Sequence, residues 1–595
     1  MKKIIAQYIT NTDVYNQAIK QAYTPLQALI VANRYQQVDY VSQLIQPSLS
    51  LIEQPSQLAD CLKASQRIIK AIKKGSHIGI LTDYDVDGIT SHAIIFFALR
   101  DFFHVKEENI SSFIGHRIED GYGVSQGLVD KILLEKNLPD IIITADCGTS
   151  DEKRISQLKQ AGIDVIVTDH HAIPDTGIPQ SAFATINPTR SDCVYKDKTI
   201  AGCMVSWLLM SQLRADLISA QLLDKESAKL SSLLDFVSLG TIADAVSLSS
   251  ISNRAVVKAG LSIMNRAQRP CWREMLKLLD KKAYSIEDLG FQIGPRINAR
   301  SRMSDPFQAL FFVTADTEEQ ACEALNKLDE DNKQRKLTEK EMLIKARFLA
   351  KEHIKQFNYS VIVFDDSFHA GVQGIVASRL VDQYGRPTVV FSVSSDVQII
   401  TASARTVASI HVRNILQEIS QQQPDLLISF GGHKGAAGLR IKKNRLNEFK
   451  TLFDAQVEKQ LKISLDPAAH PIQCELKPII QIDGSLTHQQ LDYSSIIQLE
   501  QLQPFGREFE QPCFKNTFIV QFIRHLGKDG EHLSLLLVHE DQIIRSIWFN
   551  ALEKGEFPSF IGGDTVEVVY QIMKDDYRGD GHFQLNIKYV SPNIN

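Results

Sequence analysis

At 595 residues the chain exceeds one ordinary core, and a prior of about 150 residues per domain leads us to expect three or four domains. Its 44% hydrophobic and 23% charged residues match a globular composition, and no stretch of about 18 uncharged apolar residues offers a membrane span. The formal charge of -5 excludes a globally basic binder of nucleic acid but leaves room for a local basic groove. The eight cysteines, scattered with no C-x-x-C pair, indicate neither a zinc knuckle nor a disulfide framework.

The opening MKKIIAQYITNTDVYNQ turns polar before a signal-peptide apolar region develops, so a cytoplasmic address is expected. Residues 1–70 read as a mostly helical lead-in. From about 78 to 245, β-rich runs (IGIL, ISSFI, DIIIT, DVIVT) alternate with segments of helical spacing such as SHAIIFFALRDFF, which predicts a parallel sheet covered by helices. Sites in such folds lie at the carboxyl ends of the strands. A second helical stretch covers about 200 to 290, and 316–356, rich in Glu, Lys, Leu and Ala without Gly or Pro, predicts one or two long helices bridging two domains. A second α/β segment runs from SVIVFDD through TVVFSV and LLISFGG to about 460. Beyond about 470, runs such as QIIRSIWFN, DTVEVVYQIM and FQLNIKYV are strand-like and separated by turns, which suits an OB-fold barrel. The expected fold is therefore two α/β lobes joined by a long helix, plus a C-terminal OB-fold β-barrel. The corresponding boundaries are 1–70, 71–315, 316–356, 357–462 and 463–595.

The chemistry concentrates where strands end. LTDYDVDGITS places Asp83, Asp85 and Asp87 at every second position between an apolar run and a glycine. In extended geometry the three carboxylates share one side, and they repel unless a cation sits among them. IIITADCGTS supplies Asp146, VIVTDHHAIPD supplies Asp169, His170 and His171, and FVSLGTIADAVSL supplies Asp244. Taken singly, each reads equally as a helix cap, a turn residue or a solvated loop. Together they form a mixed oxygen and nitrogen set suited to Mn²⁺ or Mg²⁺ more than to a thiolate zinc site. Two such ions about 3.5 to 4 Å apart are the usual apparatus for hydrolysing a phosphodiester.

In this order DYDVDG, ADCG, DHH and IADAV resemble the four motifs of the DHH phosphoesterase superfamily, and SFGGHKGAAG (429–438) resembles the signature of its DHH-associated domain. HRIEDGYGVS (116–125), GPRINARSRM (294–303), QGIVASRLV (373–381), SAR (403–405) and LQPFG (502–506) narrow the likeness to the RecJ branch. The likeness covers about 70 to 590. It implies that 71–315 is the DHH domain and 357–462 the DHH-associated domain. It further implies an exonuclease specific for single-stranded DNA, working 5′ to 3′ with two Mn²⁺ or Mg²⁺ ions, releasing 5′-mononucleotides in recombination and repair. A monomer acting beside a single-strand-binding protein and a RecQ-type helicase, with no membrane partner, is implied as well.

The resemblance also implies residue roles. Asp85, Asp87, Asp146, His170 and Asp244 match metal ligands, while Asp83 either touches a metal or orients the ligands. His171 would touch the scissile phosphate, and Asp169 would fix an imidazole. Ser403 and Arg405 resemble the pocket for the terminal 5′-phosphate, Arg117 and Arg302 positions along the DNA path, and His433 a group reaching the phosphate from the second lobe. Three departures stand out: Leu81-Thr82 where a His-Gly pair is common, Ser301 where glycine is usual, and PFGREFEQPCF in place of a P-F-G-x-G-N-P run. None removes an implied ligand. The alternatives are a DHH phosphodiesterase of short oligonucleotides or cyclic dinucleotides, and a DNA-binding relative that has lost the chemistry.

Overall fold

The computed structural model describes residues 3–39, 41–116, 120–303, 305–357, 359–394, 396–464, 478–528, 530–552, 557–575, 577–579 and 581–592. Strand β1 (Ile4–Gln7) opens the chain, followed by helices Thr12–Lys20 and Pro25–Arg34. The first lobe is a parallel sheet of β2 (Ile78–Thr82), β3 (Ile110–Ile114), β4 (Ile141–Ala145), β5 (Asp164–Thr168) and β6 (Ala184–Ile186) in the order β3-β2-β4-β5-β6. Every residue of β2 and β4 is buried, which is why these strands read as unbroken apolar runs: helices cover both faces. Sequence neighbours β2 and β3 sit at one side of the sheet while β4 leaves β2 in the other direction. The carboxyl ends of β2 and β4 therefore flank a switch in strand order, the place where a crevice forms.

One helix, Glu318–Gln356, spans 39 residues and is capped by Thr317, whose hydroxyl accepts from the Gln320 amide at 3.3 Å. Ala324, Leu325 and Leu328 in its first half join the core of the first lobe. Met342, Ala346 and Ala350 in its second half join a cluster of the second lobe. The helix is thus a strut between two cores. The second lobe is a sheet of β7 (Val361–Phe364), β8 (Thr388–Val393), β9 (Ile399–Arg405), β10 (Leu427–Gly432) and β11 (Ala436–Lys442), ordered β10-β11-β9-β8-β7, with only the β7/β8 pair parallel.

After β12 (Ile479–Ile482) come β13 (Phe514–Leu526), β14 (His532–His539), β15 (Gln542–Trp548), β16 (Thr565–Lys574) and β17 (Phe583–Pro592). These last five close into a barrel ordered β13-β14-β15-β17-β16, sealed by the parallel pair β15/β17. The mostly helical lead-in also contributes one strand, β1, which pairs in parallel with β12. Its helices also pack on the barrel side, where Val14, Leu26 and Ile30 share a core with Leu502, Phe509 and Phe514. A four-residue strand whose partner lies at the far end of the chain carries no local periodicity that would betray it. At this junction Arg254, fully buried, donates to the carbonyls of Leu44 (3.3 Å), Leu248 (3.3 Å), Leu502 (2.5 Å) and Pro504 (3.0 Å), tying lead-in, first lobe and barrel entry together. Among the described residues no helix is long and apolar enough to cross a membrane.

Candidate metal centre

The predicted cluster assembles at the carboxyl ends of β2, β4 and β5. Asp83 follows β2 directly and is buried. Asp85 caps the helix Val86–Phe97 and accepts from the Gly88 amide at 3.1 Å. Asp87 lies in the first turn of that helix, and its two oxygens accept from the amides of Gly202 (2.6 Å) and Cys203 (2.9 Å), which open the helix Gly202–Ser219. Unpaired N–H groups at a helix start suit a carboxylate in this way. Asp146 sits just past β4 with φ +61°, a left-handed conformation that aspartate tolerates better than most side chains. Asp244 follows the helix Leu234–Ala243 as its C-terminal cap.

The two adjacent histidines have different surroundings. His170 Nε2 lies 3.2 Å from Asp146 Oδ1, 3.6 Å from Asp244 Oδ2 and 3.7 Å from Asp87 Oδ2. His171 Nδ1 is 2.7 Å from Asp169 Oδ1 and 2.9 Å from the Tyr122 hydroxyl. Asp169 also accepts from the amides of Thr149 (3.0 Å), His170 (2.7 Å) and His171 (3.1 Å). These bonds occupy it within the protein, so it fixes the His171 ring. Tyr122, which also donates to the Asp146 carbonyl at 3.0 Å, joins the site from the GYG turn.

Three ligand groups have donor atoms within 4.8 Å of one another: Asp146, His170 and His171; Asp87, His170 and Asp244; and Asp83, Asp85 and Asp146. Asp146 and His170 each serve two groups. Burial raises the Asp87 and Asp146 carboxyls above their ordinary range, and neighbouring carboxylates add to it; the Asp244 carboxyl is pushed to about 8 by burial, then by Asp87 and Asp85. Burial lowers His170. Burial opposes charge on His171 too, but the bond and charge of Asp169 prevail and raise it to about 9. Burial likewise opposes charge on Asp169, and the His171 bond outweighs it, holding that carboxyl below its usual range.

These residues fit a divalent cation. Asp146 Oδ1 and His170 Nε2 are buried, face each other, and have no hydrogen-bond partner among the described residues. Leaving such atoms unmatched is costly, and a cation accepting both lone pairs removes the cost. The donors are oxygens and imidazole nitrogens, the set preferred by Mn²⁺ and Mg²⁺.

On the second lobe, Ser403 and Arg405 lie on β9, with Arg405 Nη1 donating to Ser403 Oγ and to the Ala404 carbonyl, both at 2.9 Å. A Cβ at Gly374 would come within 2.8 Å of Arg405 Nη2, so only glycine leaves the guanidinium its place there. His433 follows β10 and is exposed, its Nδ1 accepting from the Gly435 amide at 3.2 Å. Arg302 links the lobes, donating to the Gly371 carbonyl at 2.8 Å. It lines an interlobe cavity of about 170 Å³ with Ala243, Asn298 and Arg335. Arg117 lies outside the described residues. Sequence reasoning missed Tyr122 as a contact of His171 and the Gly202 helix as the clamp on Asp87; only the GYG run carried a signal for the former.

This architecture and this centre define a DHH-class protein with an appended barrel. The "DHH family, N-terminal domain" model matches residues 77–241, the "DHHA1 domain" model 355–459, and the "RecJ OB domain" model 482–589. The chain is 31% identical to the single-stranded-DNA-specific exonuclease RecJ of Haemophilus influenzae, covering 90% of this chain and 92% of that relative. It is 30% identical to the Escherichia coli RecJ, covering 90% and 91%. The chain belongs to the RecJ family. In fold it matches a crystal structure of RecJ in complex with Mn²⁺ from Thermus thermophilus, with a TM-score of 0.79 at 23% identity, over 100% of this chain and 80% of that one.

Proposed function

We propose that this protein is a divalent-metal-dependent exonuclease specific for single-stranded DNA, trimming from the 5′ end to 5′-mononucleotides in recombination and repair. The observation that carries the reading is the set of three ligand groups linked through Asp146 and His170, each of which belongs to two of them, at one strand-end crevice. Asp85, Asp87, Asp146, His170 and Asp244 would hold two Mn²⁺ or Mg²⁺ ions, with Asp83 alongside. The bound ions supply Lewis acidity toward the phosphoryl oxygens and make water a better nucleophile near neutral pH. No protein nucleophile is required.

The chain's own residues bind, orient and hold protons. His171, its ring held by the bond between Nδ1 and Asp169, would present its outer edge to a phosphoryl oxygen where negative charge gathers. Arg405, with Ser403, offers a planar donor pair suited to a terminal 5′-phosphate, which would set the register of cleavage from that end. Arg302 and His433 line the approach, and the closed barrel continues it for a single strand. Retention of this whole ligand set argues for chemistry over a binding scaffold, because buried like charges are costly without a cation. A monomer working in the cytoplasm beside a single-strand-binding protein and a RecQ-type helicase completes the proposal, supported by family membership.

The test is product analysis with Mn²⁺ on a 5′-phosphorylated single strand of about 40 nucleotides, run beside a cyclic dinucleotide. Mononucleotides released from the 5′ end alone are expected. Cleavage of the cyclic compound with an intact strand would move the protein to the oligonucleotide and cyclic-dinucleotide phosphodiesterases.

A further inference from the structure

One arginine at the entry to the barrel has no role in the site described above. Gly506 and Phe509 exchange backbone hydrogen bonds of 3.0 and 3.1 Å, so Arg507 and Glu508 form the corners of a tight turn. Phe509 roots the turn: its ring is fully buried, stacks on Phe505 at 5.9 Å, and lies 4.3 Å beneath the Arg254 guanidinium. Three further bonds fasten the turn to the segment that follows Asp244. The Leu248 amide donates to the Arg507 carbonyl at 2.9 Å, Ser249 Oγ to the Glu508 carbonyl at 2.9 Å, and Ser247 Oγ to Glu508 Oε2 at 2.6 Å. A Cβ at Gly506 would meet Leu248 at 2.7 Å, so the two segments touch with nothing between them.

Glu508 has φ +62°, the left-handed region that favours glycine. A strained residue persists where the surroundings over-determine it, and here the bond from Ser247 holds it. The side chain of Arg507 is 65% exposed, and its ion pair is a 3.9 Å approach to Glu508, weak at such exposure. Its charge also bears on His433 of the second lobe. Burial lowers His433, and Arg405, His171 and Arg507 add to that.

We propose that Arg507 is a substrate-binding residue that grips a phosphodiester of the single strand on the barrel side of the metal centre. The proposal rests on the nuclease reading given above. A strand carrying one negative charge per nucleotide must approach a crevice crowded with carboxylates, and a guanidinium on a turn bonded to the segment that follows Asp244 offsets that repulsion while matching phosphate bidentately. The turn's fastening to 247–249 fixes the backbone that carries this cation against the segment that follows Asp244, which an arginine serving only solubility does not need.

The test compares Arg507→Gln with the native residue in two settings. Binding of a 5′-phosphorylated strand of about 20 thymidylates is followed in the Asp85→Ala background, as potassium chloride rises from about 50 to 200 mM. The expected result for Arg507→Gln is roughly fivefold weaker binding at low salt and a salt slope shallower by about 0.7, the share of one phosphate contact on a single strand. With Asp85 restored and Mn²⁺ present, KM rises about fivefold while kcat stays within about twofold, and Arg507→Lys recovers part of the loss. An unchanged slope and KM, with the native protein degrading the strand, would overturn the role of Arg507 alone. A fall in kcat at constant KM would overturn it in favour of an effect through Asp244. A native protein that neither binds nor degrades the strand would overturn the nuclease reading, and this proposal with it.

Discussion

The aspartates at 83, 85 and 87 end in a glycine for a steric reason. A Cβ at Gly88 would lie 2.3 Å from the Asp83 carbonyl, so the helix bearing Asp87 can turn back over the preceding strand only if residue 88 has no side chain. Further along that helix, the fully buried His92 bridges it to the sheet, its ring nitrogens 3.1 Å from Thr82 Oγ1 and 2.8 Å from Ser112 Oγ. Burial lowers its pKa from 6.5 to about 3. Below pH 6.5 the unfolded chain takes up a proton that the folded chain refuses, so stability falls as pH drops toward the folded value. The loss approaches roughly 1.4 kcal/mol per pH unit from this one group. His92→Gln is expected to flatten the acid limb of a urea-midpoint against pH profile between about pH 6 and 4. A limb as steep as the native one would show that another group governs it.

At the scale of elements, the site depends on helix ends brought to strand ends. The helix Gly202–Ser219 donates two amides to Asp87, and a Cβ at Gly202 would come within 2.9 Å of Asp146 Cβ and 3.0 Å of Asp87 Oδ2. Gly202→Ala is therefore expected to push Asp87 and Asp146, two of the proposed metal ligands, apart. Mn²⁺ affinity, measured by calorimetry, should weaken about 10- to 100-fold with the far-ultraviolet circular dichroism unchanged. This clamp was not legible in the sequence. DYDVDG, ADCG, DHH and IADAV stood out because each combines an apolar run with an acidic or imidazole-bearing stop, a pattern contained in a few residues. The bond from Gly202 to Asp87 spans 115 positions, and Gly-Cys at a helix start looks like any other. The division of labour between His170 and His171 was legible only through family likeness, because it depends on which ring meets Asp169.

At the scale of the molecule, the lead-in and the barrel behave as one unit although they stand at opposite ends of the chain. Arg34 and Asp483 form a two-pronged ion pair of 2.6 and 3.0 Å whose side chains are 2% and 0% exposed, and Asn33 adds a bond of 2.9 Å to the same carboxylate. Removing one partner of such a pair leaves a buried charge uncompensated, at a cost of about 3 to 5 kcal/mol. Asp483→Ala should lower the first thermal transition and open the first 35 or so residues to proteolysis; an unchanged transition would mean that β1 and the shared apolar core hold the unit alone. Lobes, strut helix and barrel were foreshadowed by changes in periodicity along the chain, whereas β1/β12 pairing and the Arg254 junction, being purely long-range, were not. The central claim is that these strand and helix ends converge to hold divalent metal. Calorimetric titration of chelator-stripped protein with Mn²⁺, native beside Asp146→Ala, tests it most directly. Two ions bound by the native chain, and weaker binding with fewer ions by the variant, is the predicted result; no binding by the native chain, or equal binding by both, would contradict it.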